Sequence, residues 1–167
     1  FGAEVMAAVT EAVGALPWRP ELADEITAMR ERLEASRGPR DLKRGPGGVT
    51  DVEFLVQLFQ IKYGRERPEV RKPNTWEALE ALHAARLLDD EEYAALRDGY
   101  DFLRRVQSRL RIVHNRSVDE APQEPEPLDK LARRLGFESG GLLLAELEKN
   151  TKKIRELFLR LVARERE

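Results

Sequence analysis

Apolar residues recur at helical intervals along almost the whole chain, and this periodicity restricts the fold more than any other feature of the sequence. Two long stretches show apolar or small residues alternately three and four positions apart. They are Leu96, Gly99, Leu103, Val106, Leu110 and Val113 in the first stretch, and Leu144, Leu147, Thr151, Ile154, Phe158 and Leu161 in the second. Such spacing lines one face of a helix, whereas a half-buried strand alternates with a period of two. No stretch sustains that shorter period, so the sequence predicts an all-α helical bundle without a sheet.

Proline, glycine and capping residues divide this pattern into about six or seven helices. We expect helices over about 3–15, from Pro20 to near Gly38, from Thr50 to Gly64, from Asn74 to near Leu87, from Asp89 to Asn115, from Leu128 to Leu135, and from near Ser139 almost to the end. Three of the starts have a polar residue followed three positions later by Glu, as in a capping box. In the second helix, Leu22, Ile26, Met29 and Leu33 predict the side that faces the core. The expected result is a single helical domain spanning residues 1–167.

Composition and charge exclude several classes of function. The 167 residues include no cysteine, which excludes a disulfide scaffold, a thiol nucleophile and a Cys-ligated metal. His83 and His114 are the only histidines, and their isolation in the sequence argues against a metal site. No apolar run approaches the roughly 18 residues of a membrane span. The 29 basic and 31 acidic residues nearly cancel, which argues against a general nucleic-acid binder. Because the chain starts without Met, we expect it to be a piece of a longer protein.

The most informative stretch for chemistry is DLKRGPGGVTDVEF at 41–54, which begins within a loop at 38–48, here called the Gly-rich loop. Gly45, Gly47 and Gly48 permit left-handed or closely packed backbone, and Lys43 and Arg44 add positive charge. The loop leads into a helix start, where free N–H groups and the helix dipole suit a phosphate or another anion. The alternative is a Gly-rich connector with a solvated Lys-Arg pair. Since the spacing matches neither the P-loop nor the dinucleotide-binding turn, spacing alone favours that alternative.

Two groups of charged residues follow the loop. Asp51 and Glu53 lie two positions apart in a first helical turn and point about 200° away from each other, so they cannot clamp one metal ion together. Acids there also complement the helix dipole. Residues 102–116 contain no acid and five arginines, namely Arg104, Arg105, Arg109, Arg111 and Arg116. These arginines either contact phosphate or an acidic partner, or they lock helices together by pairing with carboxylates such as Asp51 and Glu53.

The chain resembles a known family in two segments. They are DLKRGPGGVTDVEFLVQLFQIKYG at 41–64 and NTWEALEALHAARLLDDEEYAALRDGYDFLRRVQSRL at 74–110. They resemble the helical domain that follows a nucleotidyltransferase domain in bacterial glutamine synthetase adenylyltransferases, and the likeness extends over about 20–165. The PII uridylyltransferases contain a related domain with a weaker match. The family motif K-x-G-x-G-G-[IV]-x-D-[IV]-E-F falls on Lys43, Gly45, Gly47, Gly48, Asp51 and Glu53.

The resemblance implies a bifunctional enzyme of the cytoplasm. One of its two nucleotidyltransferase domains removes AMP from a tyrosine of glutamine synthetase, and the other attaches AMP from ATP, under the control of PII proteins and glutamine. The expected partners are the chain's own nucleotidyltransferase domain, glutamine synthetase and PII, and neither nucleic acid nor a membrane. ATP and Mg²⁺ are expected in the catalytic domain. This chain has no Gly-Ser followed by Asp-x-Asp, so we expect it to hold no cofactor and to be inactive by itself.

The resemblance also favours the C-terminal, adenylylating half, through Thr50, the Y-x-x-E-x-P-x-V pattern beginning at Tyr63, and the ending ARERE. Pro46 stands where relatives often have Arg or Ala, and it removes one N–H from the loop. The resulting hypothesis is that the motif completes the wall of a nucleotide cleft, with Lys43 near the phosphates. Asp51 or Glu53 would then orient the site or pair with Arg105 or Arg109. One alternative is a module that docks glutamine synthetase or PII without approaching nucleotide. Another, an RNA-binding domain, has little support because only 7% of residues are aromatic.

Overall fold

The chain forms a bundle of helices, as its periodicity predicts. The computed structural model describes residues 17–35, 37–38, 40–114 and 119–166. Its helices are α1 (Glu21–Glu34), α2 (Val49–Tyr63), α3 (Thr75–Ala84), α4 (Asp90–His114), α5 (Pro125–Arg134) and α6 (Gly140–Glu165), with a 3₁₀ turn at Pro68–Val70. The described residues contain no strand, only an isolated bridge between Asp41 and Glu120. The all-α prediction is confirmed, and the helix expected over 3–15 lies outside the described residues.

Helix α6 is the element around which the bundle is built, since it packs against α1, α2, α4 and α5. Its predicted stripe is buried at Leu147, Ile154, Phe158 and Leu161, and that of α4 at Leu96, Leu103, Val106 and Leu110. Between them Gly99 lets α4 approach α6, because a Cβ there would lie 2.9 Å from Cδ1 of Ile154. Burial of these stripes supplies the main apolar driving force for the fold.

Two of the three expected capping boxes have side-chain caps at the helix start. The Asn74 side chain accepts hydrogen bonds from the amides of Trp76 and Glu77, at 2.9 and 3.3 Å. Asp89 and Glu92 cap each other reciprocally, at 2.7 and 3.1 Å. The third prediction, Thr50 with Glu53, is wrong. Helix α2 begins at Val49 after the N-cap Gly48, which places Thr50 inside the first turn.

Helices α1 and α5 differ in detail from the prediction. Met29, expected in the core, is 51% exposed, whereas Ala23 and the charged Arg30 are the buried residues of α1. Helix α5 begins at Pro125, three residues before the expected Leu128. Proline is tolerated in a first helical turn because its missing N–H would have no partner within the helix. The proline-rich composition therefore marks a helix start as well as a loop.

Candidate functional site

Residues 41–48 of the Gly-rich loop form a compact, hydrogen-bonded structure. The Asp41 carboxylate accepts from the amides of Lys43 and Arg44, at 2.9 and 2.8 Å, and its carbonyl accepts from Gly45 at 2.9 Å. The loop is also tied to the segment that follows α4, since the Leu42 amide donates to the Asp119 carbonyl at 2.7 Å. These hydrogen bonds connect the loop internally and to the segment between α4 and α5.

Carbonyl groups of the Gly-rich loop accept hydrogen bonds from the first amides of α2. The amides of Val49 and Thr50 donate to the carbonyls of Leu42 and Lys43, at 3.0 and 2.9 Å, and the Asp51 amide donates to Gly48 at 3.0 Å. The expectation of free N–H groups for an anion is therefore wrong. The amides that a helix start leaves without an internal partner are satisfied here by carbonyls of the preceding turn.

The glycines of the motif serve packing within the chain. Gly45, Gly47 and Gly48 are buried. Gly47 has φ +69°, and a Cβ there would overlap the Thr151 carbonyl of α6. A side chain at this position would therefore conflict with both the backbone conformation and the neighbouring helix. The close approach that Gly47 permits is between the loop and α6.

The Asp51 side chain connects the loop to the interior of the bundle. Its side chain and that of Arg30 are both fully buried, and Nε of Arg30 donates to Oδ1 of Asp51. The other carboxylate oxygen accepts from the Gly47 amide at 2.9 Å and lies 3.3 Å from Nη1 of Arg155. Asp51 thus joins the loop, α1 and α6 at one point.

Arg30, Glu34, Asp51 and Arg155 form what we call the buried charge cluster. Arg30 also donates to the Gly45 carbonyl at 2.6 Å, and its Nη1 lies 3.2 Å from Oε2 of Glu34. Nη2 of Arg155 lies 3.2 Å from the same Glu34 oxygen. Two cations and two anions therefore balance each other, and of these Arg30 and Asp51 are fully buried whereas Arg155 and Glu34 are 22% and 24% exposed. Removal of Asp51 or Arg30 would leave the other, a buried charge, without its direct partner.

The expected pairing of Asp51 or Glu53 with Arg105 or Arg109 is wrong. Glu53 instead accepts from the Tyr100 hydroxyl at 3.2 Å, and burial raises the pKa of Tyr100. Arg105 lies 3.5 Å from Asp101 on the exposed side of α4, and Arg109 is exposed as well. The face of α4 that carries both arginines points away from the core, so their guanidinium groups do not reach the start of α2.

Lys43 and Arg44 lie at the surface of the loop. Both are half-buried, and neither forms an ion pair with a described residue. A groove of about 340 Å³ lies beside the loop. It is lined by Arg40, Leu42, Ala121, Leu144, Leu147, Glu148 and Thr151. Whether Lys43, Arg44 or the glycines bind a nucleotide stays a prediction.

A second polar cluster fixes the end of α6. Glu165 accepts from the Tyr63 hydroxyl at 2.6 Å and from Nε of Arg164 at 2.9 Å, and Nζ of Lys62 lies 3.1 Å from its carboxylate. Burial raises the pKa of Glu165, but these hydrogen bonds outweigh it and hold the pKa below its ordinary value. Burial and the same carboxylate raise the pKa of Tyr63 to about 12. This cluster ties α2 to α6.

Sequence reasoning missed Arg30, Arg155 and Glu165. Arg30 lies seven positions after Ala23, a helical spacing that places both on one face, but only the structure shows that Ala23 is buried. Nothing in the local sequence distinguishes Arg155 or Glu165 from the many exposed charges around them.

The described residues offer no set of ligands for the Mg²⁺ ion that the resemblance places in a catalytic domain. No three His, Cys, Asp or Glu side chains among them lie close enough together to hold a metal ion. In the same part of the chain, every helix is too short or too polar to cross a membrane.

Comparisons with known proteins agree with the resemblance. A family model described as GlnD PII-uridylyltransferase matches residues 21–162. A bifunctional glutamine synthetase adenylyltransferase/adenylyl-removing enzyme of Xanthomonas axonopodis pv. citri is 36% identical over 74% of this chain and 13% of its own length. Enzymes of the same name from Streptomyces coelicolor and Acinetobacter baylyi are each 32% identical, over 98% and 84% of this chain.

The chain spans only 13% to 17% of the length of these relatives. The matched part nevertheless includes nearly all of the described bundle, with the Gly-rich loop and the buried charge cluster. By the extent of these matches, the chain belongs to the family of the GlnD PII-uridylyltransferase model, together with the glutamine synthetase adenylyltransferases.

Proposed function

We propose that this chain is the helical domain of the adenylylating half of a bifunctional glutamine synthetase adenylyltransferase. In this proposal it packs against a nucleotidyltransferase domain and presents the Gly-rich loop to the nucleotide cleft of that domain. ATP and Mg²⁺ belong to the catalytic domain, and glutamine synthetase and PII are partners of the whole enzyme. The names of the relatives support the reaction class.

One observation carries the proposal. The loop is held from behind by the fully buried Asp51 and Arg30, while Lys43 and Arg44 remain partly exposed and unpaired with any described residue. A rigid support that carries two available cations is what a phosphate-bearing substrate requires, since preorganised charge stabilises developing negative charge. Because the amides of α2 are occupied, the contribution comes from the side chains of Lys43 and Arg44.

The experiment compares Lys43→Ala and Lys43→Ala/Arg44→Ala with the wild-type full-length enzyme. Lys130→Ala is a matched control, since Lys130 is an exposed lysine of α5 whose one ion pair with a described residue is to Glu126. We expect kcat/KM for ATP in the adenylylation of glutamine synthetase to fall at least tenfold in the loop variants and less than twofold in the control. The adenylyl-removing activity should change less than twofold in all three.

Three results would refute parts of the proposal. Unchanged kcat and KM for ATP in both loop variants would show that the loop does not line the cleft. If the variants instead weakened only the binding of glutamine synthetase or PII, the docking alternative would replace it. A loss confined to the adenylyl-removing activity would assign the chain to the other half of the enzyme.

A further inference from the structure

The arginines of α4 have no role in the proposed nucleotide cleft. Residues 102–116 contain five of the 29 basic residues and none of the 31 acidic ones. Within the described part of this segment, we call Arg104, Arg105, Ser108, Arg109, Arg111 and Ile112 the arginine face. The opposite side of the same two turns is buried at Leu103, Val106 and Leu110. The arginine face therefore points away from the core of the bundle.

The charges of the arginine face are only weakly engaged by the chain itself. Arg105 lies 3.5 Å from Asp101, and both side chains are more than half exposed. Arg111 lies 3.6 Å from Asp119. Arg109 makes no ion pair with a described residue. Such exposed or long contacts contribute little to stability, which leaves the guanidinium groups available to a partner.

Apolar side chains accompany these arginines. Ile112, one turn beyond Arg109, is 68% exposed. Trp76 of α3 is 36% exposed, and Cζ of Arg104 lies over its ring, 6.0 Å from the centroid. Arginine and tryptophan are enriched at protein interfaces, where they combine apolar contact with hydrogen bonding. A phosphate or nucleic-acid ligand would gain nothing from an exposed isoleucine. This combination favours a protein partner.

The end of α4 is linked to the Gly-rich loop through Asp119. The Asp119 side chain accepts from Nε2 of the buried Gln107 at 3.2 Å and lies 3.6 Å from Nη2 of Arg111, and its carbonyl accepts from the Leu42 amide at 2.7 Å. The end of α4 and the loop therefore lie close together in the bundle.

We propose that the arginine face docks an acidic segment, containing at least one apolar residue, from a part of the same polypeptide outside residues 1–167. This inference rests on the proposed function, in which the chain is one domain of a longer enzyme. The relatives are long enough to supply such a segment, since this chain spans only 13% to 17% of them. Exposed ion pairs bind a separate protein weakly. A segment of the same polypeptide has an effective concentration in the millimolar range, at which weak ion pairs are sufficient for binding. Carboxylates four positions apart on a helix would match Arg105 and Arg109.

The test uses the purified full-length enzyme with the photo-crosslinking residue p-benzoylphenylalanine in place of the exposed Ser108. We expect crosslinks within one polypeptide, to a peptide outside residues 1–167 in which Asp and Glu outnumber Lys and Arg. Arg105→Glu/Arg109→Glu should reduce the crosslinked fraction at least fivefold. The control Lys149→Glu/Lys152→Glu places two charge reversals on an exposed stretch of α6 and should change that fraction less than twofold.

Three results would overturn the inference. They are crosslinks to a neutral or basic peptide, crosslinks to a second polypeptide, and a crosslinked fraction that the arginine variant leaves unchanged. Circular dichroism of each variant establishes that the bundle is folded. The adenylylation assay on Lys43 variants is independent of this readout, so a failure of the cleft proposal is distinguishable from a failure of the docking face.

Discussion

Neutralising Asp51 should destabilise the bundle far more than neutralising an exposed aspartate. Asp51→Asn keeps the size of the side chain and an acceptor for the Gly47 amide, but it removes the charge that balances Arg30 and Arg155. Breaking a buried ion pair by removing one partner costs about 3–5 kcal/mol, because the remaining charge stays desolvated. This loss is a large part of the roughly 5–15 kcal/mol that stabilises an ordinary domain.

The assay is urea unfolding at pH 7 followed by circular dichroism. With a denaturant slope of about 2 kcal/mol per molar urea, the midpoint of Asp51→Asn should fall by about 1.5–2.5 M. The matched control is Asp98→Asn, since Asp98 is 74% exposed and lies 3.8 Å from Arg97. That change should cost about 0.5 kcal/mol or less.

A double-mutant cycle checks the mechanism. Arg30→Met in the Asp51→Asn background should cost at least about 1 kcal/mol less than Arg30→Met alone, because the charge that Arg30 balances is already absent. Equal stability losses in Asp51→Asn and Asp98→Asn, or additive effects in the cycle, would refute the view that the buried charge cluster holds the loop.

Three further predictions concern the loop and the end of α6. Gly47→Ala should lower the thermal unfolding temperature clearly more than Gly136→Ala, because both glycines have positive φ but only a Cβ at Gly47 overlaps the backbone of α6. Similar decreases in the two variants would contradict this packing. Because the pKa of Glu165 is lower in the folded state, its stabilisation is present above the unfolded pKa and lost as pH falls through the folded value. In Glu165→Gln the free energy of unfolding should therefore decrease less steeply as pH falls below about 4.5. A pH dependence equal to that of the wild type would contradict this role of Glu165. For Tyr63 the sign is opposite, so its stabilisation is lost as pH rises from 10 through about 12. Ultraviolet titration should show a tyrosine component that ionises near pH 12, and Tyr63→Phe should remove that component.

Features that depend on nearby residues were predictable from the sequence. The stripes of α4 and α6 follow from apolar spacing, and the caps at Asn74 and Asp89 from residues three positions apart. The same local rule failed at Thr50, because Leu42 and Lys43 supply the carbonyls that satisfy the first amides of α2. The four residues of a capping box do not indicate whether carbonyls of a preceding turn will accept from the first amides of the helix.

The candidate site was predictable in position but not in its internal contacts. The motif singles out Asp51, but the partners of Asp51, Arg30 and Arg155, lie 21 and 104 positions away. Such pairing depends on how α1 and α6 cross α2, which no local pattern encodes. Met29 and Arg30 show the same limit, since the apolar residue is exposed and its charged neighbour is buried.

Amide hydrogen exchange at Gly47, Val49 and Thr50, measured by NMR with and without ATP or inorganic phosphate, tests most directly whether the loop closes the start of α2. We predict slow exchange at all three amides, with rates that neither ligand changes, because Asp51 and the carbonyls of Leu42 and Lys43 already occupy them. Rapid exchange that ATP or phosphate slows would mean that these amides are open and bind the anion themselves, and it would contradict the account.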